Sequence, residues 1–480
     1  MNRHLALTTL AAFATGVLFA DGVARGTAIV TVDPATVVGP IKPINGVNNG
    51  PTLRKDGQEL GVYSKTYADA KIPYARTHDA AFYDDYGGAH TIDISAVFPD
   101  FSKDPDDPKS YDFTFTDRYM KGLLGSGTKV YYRLGQKIEH LEKKYHLKPA
   151  DNLKWARVCE HLIMHFNEGW ADGHRWNVTD FEIWNEPDNN FKSNPECWSG
   201  TDEEFFEFFA TAYTHLKGRF PNLRFGGPGI MYVNKEWEAK FFPFLKSRGI
   251  VPDFFSWHAY RGNPRRVGRE AVEQRKILDD AGFAKTESHL TEWNYIQNFA
   301  DRWEYSLRVE RGEFAYKGGA YVASVLTVLQ DSPVDVAHYY DARPCGMNGM
   351  YNEFLRPIQG YYAFYAWAKL RELGTQVAVK LAGLKEKDNT DDMYVTAATD
   401  GKGRLGVLIA RFIDDNNVVV PKEVRFEVPG YALSDVVVHE TGHDTMFTER
   451  PWYVKKDGTN YFMFEPSSFV YVSAKIEKAK

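Results

Sequence analysis

Glu186 lies in FEIWNEPDNN and Glu292 in HLTEWN; each closes a β-rich run and each has Trp and Asn beside it. Two facing carboxyl groups are the chemistry of glycoside cleavage. One protonates the leaving oxygen while the other, at a separation of about 5–5.5 Å, attacks the anomeric carbon and retains its configuration. In that scheme Glu186 is the acid/base and Glu292 the nucleophile. A single glutamate taken blindly is usually a solvated surface residue. Two that end strands among the same neighbours point to one shared site.

Something must hold them together, and the pattern around them supplies it. Between about Ile41 and Lys369 short β-branched or aromatic runs alternate with segments of helical period, the mark of repeated βα units around a parallel sheet. Strands are expected near Ile44-Val47, Tyr74-His78, Lys129-Leu134, Asp180-Trp184, Leu223-Phe225, Phe254-His258, Ser288-Thr291 and Val336-Tyr340. Eight such units make an α/β chain with a (β/α)8 TIM barrel, whose active-site groups sit where strands end. Pro187 cannot donate to a ladder, so the fourth strand stops beside Glu186. His258 and Tyr260 alternate along the sixth and share a face. The aromatic stripes of Leu153-Glu168 and Glu203-Gly218 read as helix core. After Gly374 the texture turns to short strands with Gly and Asp turns, an accessory C-terminal β-sandwich that Ala28-Val32 is placed to join. The expected division is a signal peptide over 1–24, an N-terminal strand over 25–40, the barrel over 41–372 and the β-sandwich over 373–480.

The bulk numbers narrow the partners. A net charge of -6 argues against a surface built for phosphate backbones, so no nucleic acid is expected. Arg3 and His4 precede an apolar run from Leu5 to Ala20 and then small residues, a signal-peptide pattern that implies a secreted or periplasmic protein. No later segment is apolar for long enough to span a bilayer. Cys159, Cys197 and Cys345 are too few for a disulfide framework or a zinc site; one bridge, Cys197 to Cys345, stays open beside burial as small apolar residues. His78 and His258 have no Cys or carboxylate at a recognisable ligand spacing, so neither metal nor other cofactor is expected.

IWNEPD and LTEWN resemble the acid/base and nucleophile motifs of clan A retaining glycosidases, and their surroundings narrow the likeness to glycoside hydrolase family 39, the β-xylosidase and α-L-iduronidase family. The likeness extends to YARTH, DFTFTDRYMKGLLGSGTKVYYRLG, LRFGGPGI and DFFSWHAY. It implies that Asn185 bonds the sugar 2-hydroxyl, that Arg76 and Tyr260 orient the nucleophile, and that His78 and His258 contact substrate hydroxyls. An arginine beside buried carboxylates favours their ionised form, as a nucleophile requires.

Two segments depart from that pattern. VAHYYDARPCGMNGM lacks the expected tryptophan, leaving Tyr339 as the nearest counterpart. The third strand ends in RLGQKIEH, which brings Arg133, Gln136 and Lys137 towards the mouth. Arg133 either pairs with a carboxylate or binds a uronic acid bidentately. Trp198 and Trp293 are candidate stacking platforms, with a structural wall as the alternative for each. The leading expectation is exo-acting hydrolysis of a β-linked glycoside, β-xyloside foremost. A uronic-acid-specific or endo-acting hydrolase of the same fold is the rival, and a secreted carbohydrate-binding protein without turnover is the reading from another class. The oligomeric state is not legible.

Overall fold

The computed structural model describes residues 27–51, 62–78, 91–135, 147–189, 197–343, 347–383, 392–456 and 458–479. The signal-peptide pattern, Gln136, Lys137 and Cys345 lie outside them. Eight parallel strands close a barrel: β2 (Gly46–Asn48), β3 (Tyr74–Thr77), β4 (Lys129–Leu134), β5 (Asp180–Ile183), β6 (Arg224–Ile230), β7 (Phe254–Tyr260), β8 (Glu287–Asn294) and β9 (Val336–Tyr339), with β9 pairing back to β2. β1 (Thr27–Pro40) precedes it and belongs to the other domain.

The barrel interior is unusually polar and is built in tiers. In the lowest, Tyr131, Phe254, His289 and His338 pack ring against ring, and the Tyr131 hydroxyl meets His289 Nδ1 at 3.1 Å. Arg76 and Glu182 form the next, fully buried and joined at 2.6 Å. Above them stand Glu186 and Glu292. The outward side chains meet a helical jacket; Trp184, Trp198, Phe205 and Phe208 form one such cluster under the helix Asp202–Arg219. Thr201 and Glu204 start that helix with a reciprocal capping box.

β6, β7 and β8 run further than their sequence signals suggest. Tyr260 pairs with Asn294 and Trp293 with Tyr339, so Tyr260 and Glu292 lie within strands. Ladder hydrogen bonds continue past the residues that mark these strands in sequence, and propensity alone does not see that.

Beyond the barrel, a largely antiparallel ten-stranded sheet runs from β1 through Thr375–Gly383, Met393–Thr399 and Arg404–Arg411 to Ser468–Lys478 and shorter strands. β1 bridges its halves, antiparallel to Thr375–Gly383 and parallel to Lys422–Glu427. Val438 and Phe462, from strands near opposite ends of the sheet order, line one cavity of about 360 Å³. The sheet therefore folds back on itself around a second core that includes Val30, Val407, Phe426, Phe464 and Val472. The strands Thr448–Arg450, Tyr453–Val454 and Asn460–Phe464 carry too little alternation to be seen in sequence. The helices Ala315–Gln330 and Gln359–Leu373 pack on this sheet, and Asp414 accepts hydrogen bonds from Tyr295 and Gln297 just beyond β8. Among the described residues no helix is long and apolar enough to cross a membrane.

Candidate active site

β5 ends abruptly. Trp184 and Glu186 adopt φ of 78° and 46°, sparsely populated for side-chain-bearing residues and held here by Trp184 N–H donating to Leu134 O and Glu186 N–H to Gly229 O. That twist turns Asn185 and Glu186 over the barrel axis. β8 brings Glu292 from across the ring. One oxygen from each glutamate and one nitrogen of His258 all lie within 4.8 Å of one another, a spacing that suits attack by one carboxylate on a carbon whose leaving group the other protonates.

The two carboxylates are held differently. Glu292 takes a guanidinium bond from Arg76 on Oε1 at 2.7 Å and a hydroxyl bond from Tyr260 on Oε2 at 2.6 Å. Charge-assisted bonds of this kind favour the ionised carboxylate. Glu186 meets His258 Nδ1 at 2.8 Å on Oε1, while among the described residues its Oε2 has only long contacts, 3.4 Å to Asn189 Nδ2 and 3.9 Å to Cys197 Sγ. Glu186 therefore keeps one oxygen loosely held. Both remain slightly open, Glu186 at 7% and Glu292 at 5%, so depth scarcely separates them and bonding does.

Arg76 is the hub. Beyond Glu292 it reaches Glu182 through Nε, Asn48 through Nη1 and Asn185 Oδ1 through Nη2, at 2.6, 3.0 and 2.7 Å. The last bond fixes the amide of Asn185, whose Nδ2 is left as a donor directed elsewhere. Gly229, at φ 62°, permits the crowding: a Cβ there would lie 3.2 to 3.4 Å from His258 Nε2, Glu182 Oε1 and Arg76 Nη2.

Charge sets the histidines apart. Burial works against a charged His258, but the charge of Glu292 and the bond to Glu186 outweigh it and raise its pKa. Burial, with Arg76 and Arg133 nearby, holds His78 well below the ordinary imidazole range. His78 Nδ1 accepts from Arg133 Nε at 3.1 Å, so its Nε2 carries the hydrogen and faces Glu292 Oε1 at 3.4 Å. The imidazole that faces both carboxylates is thus the one favoured to hold a proton.

Of the residues singled out in sequence, the structure brings Asn185, Glu186, Arg76, His78, His258, Tyr260 and Glu292 together. Four others are not offered to substrate: Arg133, Trp198 and Trp293 take the structural alternative, and Tyr339 is corrected. Arg133 is fully buried, with its guanidinium on Asp93 at 2.7 Å and on His78, so it supports the wall and is not offered to a uronate. Trp198 is packed against Trp184, Phe205 and Phe208 and donates to Thr201 O, which leaves no stacking face. Trp293 follows an inward Glu292 and so points outward, onto Tyr339. Tyr339 follows inward His338 and points to Phe364 in the jacket. The next residue, Tyr340, takes the place expected of Tyr339: its ring lies 6.1 Å from that of His78 and 6.4 Å from that of Tyr260, with Arg343 Nη2 donating to its hydroxyl at 3.1 Å.

Sequence reading missed Glu182, Asn48, Asp93, Tyr340 and Asp188. Glu182 had a signal, being the one charged residue in the apolar run FEIW. Asp188 accepts from Met231 N–H and Asn234 Nδ2, and burial pushes it up to about 6.

The family model described as Glycosyl hydrolases family 39 matches residues 52–331. No curated protein matches the chain. Among solved structures, a glucosidase from Croceicoccus marinus is 18% identical, with a TM-score of 0.74 over 95% of this chain and 100% of that one. A monomeric β-xylosidase from Caulobacter crescentus CB15 is 17% identical, TM-score 0.67, over 94% and 99%. An α-L-arabinofuranosidase from Thermotoga maritima is 15% identical, TM-score 0.64, over 93% and 100%. At these identities the likeness speaks for the fold.

Proposed function

This chain belongs to family 39 of the glycosyl hydrolases and is a glycoside hydrolase, and from that premise we propose that it cleaves β-linked glycosides, β-xylosides first among them, with net retention through a covalent glycosyl-enzyme. The observation that carries this reading is the convergence of Glu186 and Glu292 within 4.8 Å around His258. In the first half-reaction Glu186 protonates the glycosidic oxygen as Glu292 attacks the anomeric carbon. In the second, Glu186 takes a proton from the water that releases the sugar. Arg76 and Tyr260 hold the attacking carboxylate in line, and His258 holds Glu186. Asn185, its carbonyl occupied by Arg76, offers Nδ2 to the sugar 2-hydroxyl, while His78 Nε2–H and the Tyr340 ring line the sugar site.

The preference for a neutral pentose rests on the closed state of Arg133 and on a β-xylosidase among the similar structures. A secreted or periplasmic setting is part of the same reading and rests on the Arg3 to Ala24 pattern. The test is a panel of nitrophenyl β-xyloside, β-glucoside, α-L-arabinofuranoside and uronide, with the first-formed anomer followed by proton NMR. Turnover of the β-xyloside with a β-anomer first supports the proposal. An α-anomer first from that substrate, or turnover confined to the uronide, overturns it.

A further inference from the structure

We propose that Asp117, His165 and His174 form a binding site for a first-row divalent transition metal ion of the zinc class, on the helical jacket and separate from the catalytic pocket. Asp117 stands on the helix Thr114–Gly125, His165 on the helix Asn152–Asn167, and His174 in the connection that leads to β5. One ligand atom from each lies within 4.8 Å of the others: His165 Nε2 is 3.1 Å from Asp117 Oδ1, and His174 Nε2 is 2.7 Å from Oδ2.

The tautomer of His165 carries the argument. Its Nδ1 sits 2.9 Å from the carbonyl oxygen of Trp170, which can only accept, so Nδ1 bears the hydrogen. In the neutral ring Nε2 is then a bare lone pair aimed at a carboxylate oxygen, two electron-rich atoms face to face. A cation between them resolves the conflict. An imidazole that binds metal through one nitrogen and gives its other N–H to a backbone carbonyl is the usual second-sphere arrangement. Two imidazole nitrogens and one carboxylate oxygen favour zinc-like ions over calcium or magnesium, and three protein ligands leave a position for water.

The surroundings fix this geometry in advance. The loop after the second helix folds tightly round His165: His174 N–H donates to His165 O at 2.6 Å, Gly173 N–H to Trp170 O at 3.1 Å and Trp176 N–H to Phe166 O at 2.8 Å. Ala171, Asp172 and Asn177 hold φ of 55°, 56° and 58° to make the turn, and a Cβ on Gly173 would fall 2.2 Å from His165 O. Both rings are clamped, His165 stacked on Phe113 at 3.6 Å and His174 on Trp176 at 3.8 Å. Asp117 and His174 remain about a fifth open to solvent, at 19% and 20%, which admits an ion and its water.

The test is calorimetric titration of the chelator-stripped, tag-free chain with zinc chloride, run beside His174→Ala, Asp117→Asn and Glu292→Gln. Expected is one zinc per chain in the wild type and in Glu292→Gln, at least about 100-fold weaker in His174→Ala, with a zinc-induced rise in Tm that both site variants lose. Failure of the wild type to bind zinc, or equal binding in His174→Ala and Asp117→Asn, overturns the site and leaves a protonated imidazole as the resolution. Loss in Glu292→Gln with retention in the two site variants assigns the ion to the catalytic pocket and equally overturns it. Circular dichroism and hydrolysis of aryl glycoside by the site variants establish that they are folded.

Discussion

The hydroxyl of Tyr260 donates to Oε2 of Glu292 over 2.6 Å, and Arg76 holds the other oxygen of the same carboxylate. In its proposed role as nucleophile, a carboxylate tethered on both oxygens loses little orientational freedom on the way to the anomeric carbon. Removing the phenolic donor costs a hydrogen bond to a charged group, about 1.5–3 kcal/mol. Tyr260→Phe is therefore expected to lower kcat roughly 10- to 100-fold with a much smaller change in KM, measured by steady-state kinetics on aryl β-xyloside. A change confined to KM would show that the hydroxyl binds substrate and leaves the nucleophile alone.

The different tethering of the two glutamates predicts different losses. On the proposed roles, Glu292→Ala removes the atom that bonds to carbon and should abolish turnover by several orders of magnitude for every leaving group. Glu186→Ala removes only the proton donor, so aryl glycosides with good leaving groups should still form the intermediate, and azide should enter the vacated side and restore turnover as a β-glycosyl azide. Product analysis with and without azide separates the two variants; a retained β-glycosyl azide from Glu292→Ala together with an inverted azide from Glu186→Ala would exchange the assigned roles.

Much of this was legible in sequence, for a definable reason. Glu186 follows β5 and Glu292 lies near the end of β8, both strands marked by apolar runs, and the barrel follows from eight such runs. Which of two adjacent aromatics faces inward was not legible, because parity along β9 depends on where its ladder starts. Tyr339 was named, but His338 is inward, so Tyr340 is too. Arg133 was seen as a charge near the mouth, whereas its fate rests on Asp93, 40 residues away and on no motif. The Asp117, His165 and His174 cluster spans two helices and a loop, with separations of 48 and 57 residues that match no ligand spacing.

Asp93, Arg133 and His78 form a chain that ends at Glu292. Both members of its ion pair are buried, and breaking a buried pair by removing one partner costs about 3–5 kcal/mol. Arg133→Met should lower stability by that order in denaturant unfolding at neutral pH. It also frees the His78 tautomer, so KM should rise in the fraction that remains folded. Unchanged stability would mean that the pair of Arg133 and Asp93 contributes little to the fold.

Two buried groups should leave separate marks on the pH dependence of stability. Asp188 is raised from 3.8 to about 6, so the folded state holds this proton more tightly than the unfolded chain. Its stabilisation is complete below 3.8 and is lost as pH climbs to about 6. Asp188→Asn should therefore flatten Tm against pH in that interval. His258 is also raised, and its contribution is present below its ordinary value of 6.5 and lost as pH rises through the higher folded value. His258→Gln should remove the decline above 6.5, and by taking away a charge that lowers Asp188 it should move the acid interval upward without abolishing it. Differential scanning fluorimetry of the three proteins across pH distinguishes the windows; a slope of opposite sign in either would contradict the charge assignments.

Tyr340 and Tyr339 offer the sharpest test of the sugar site because they are neighbours with opposite orientations. Tyr340 is expected to lay its ring along the substrate between His78 and Tyr260, and stacking of this kind is a matter of apolar contact with a ring face. Tyr340→Ala should raise KM about tenfold or more, equivalent to roughly 1.4 kcal/mol or more of lost binding, while Tyr340→Phe keeps the face and loses the Arg343 bond. Tyr339 packs on Phe364 and accepts from Gly349 N–H at 3.0 Å, away from the mouth. Tyr339→Phe should accordingly lower stability and leave KM within about twofold, a difference of roughly 0.4 kcal/mol in binding. Kinetics and unfolding on the same three variants decide the matter, since a KM effect at Tyr339 with none at Tyr340 would reverse the parity assigned to β9.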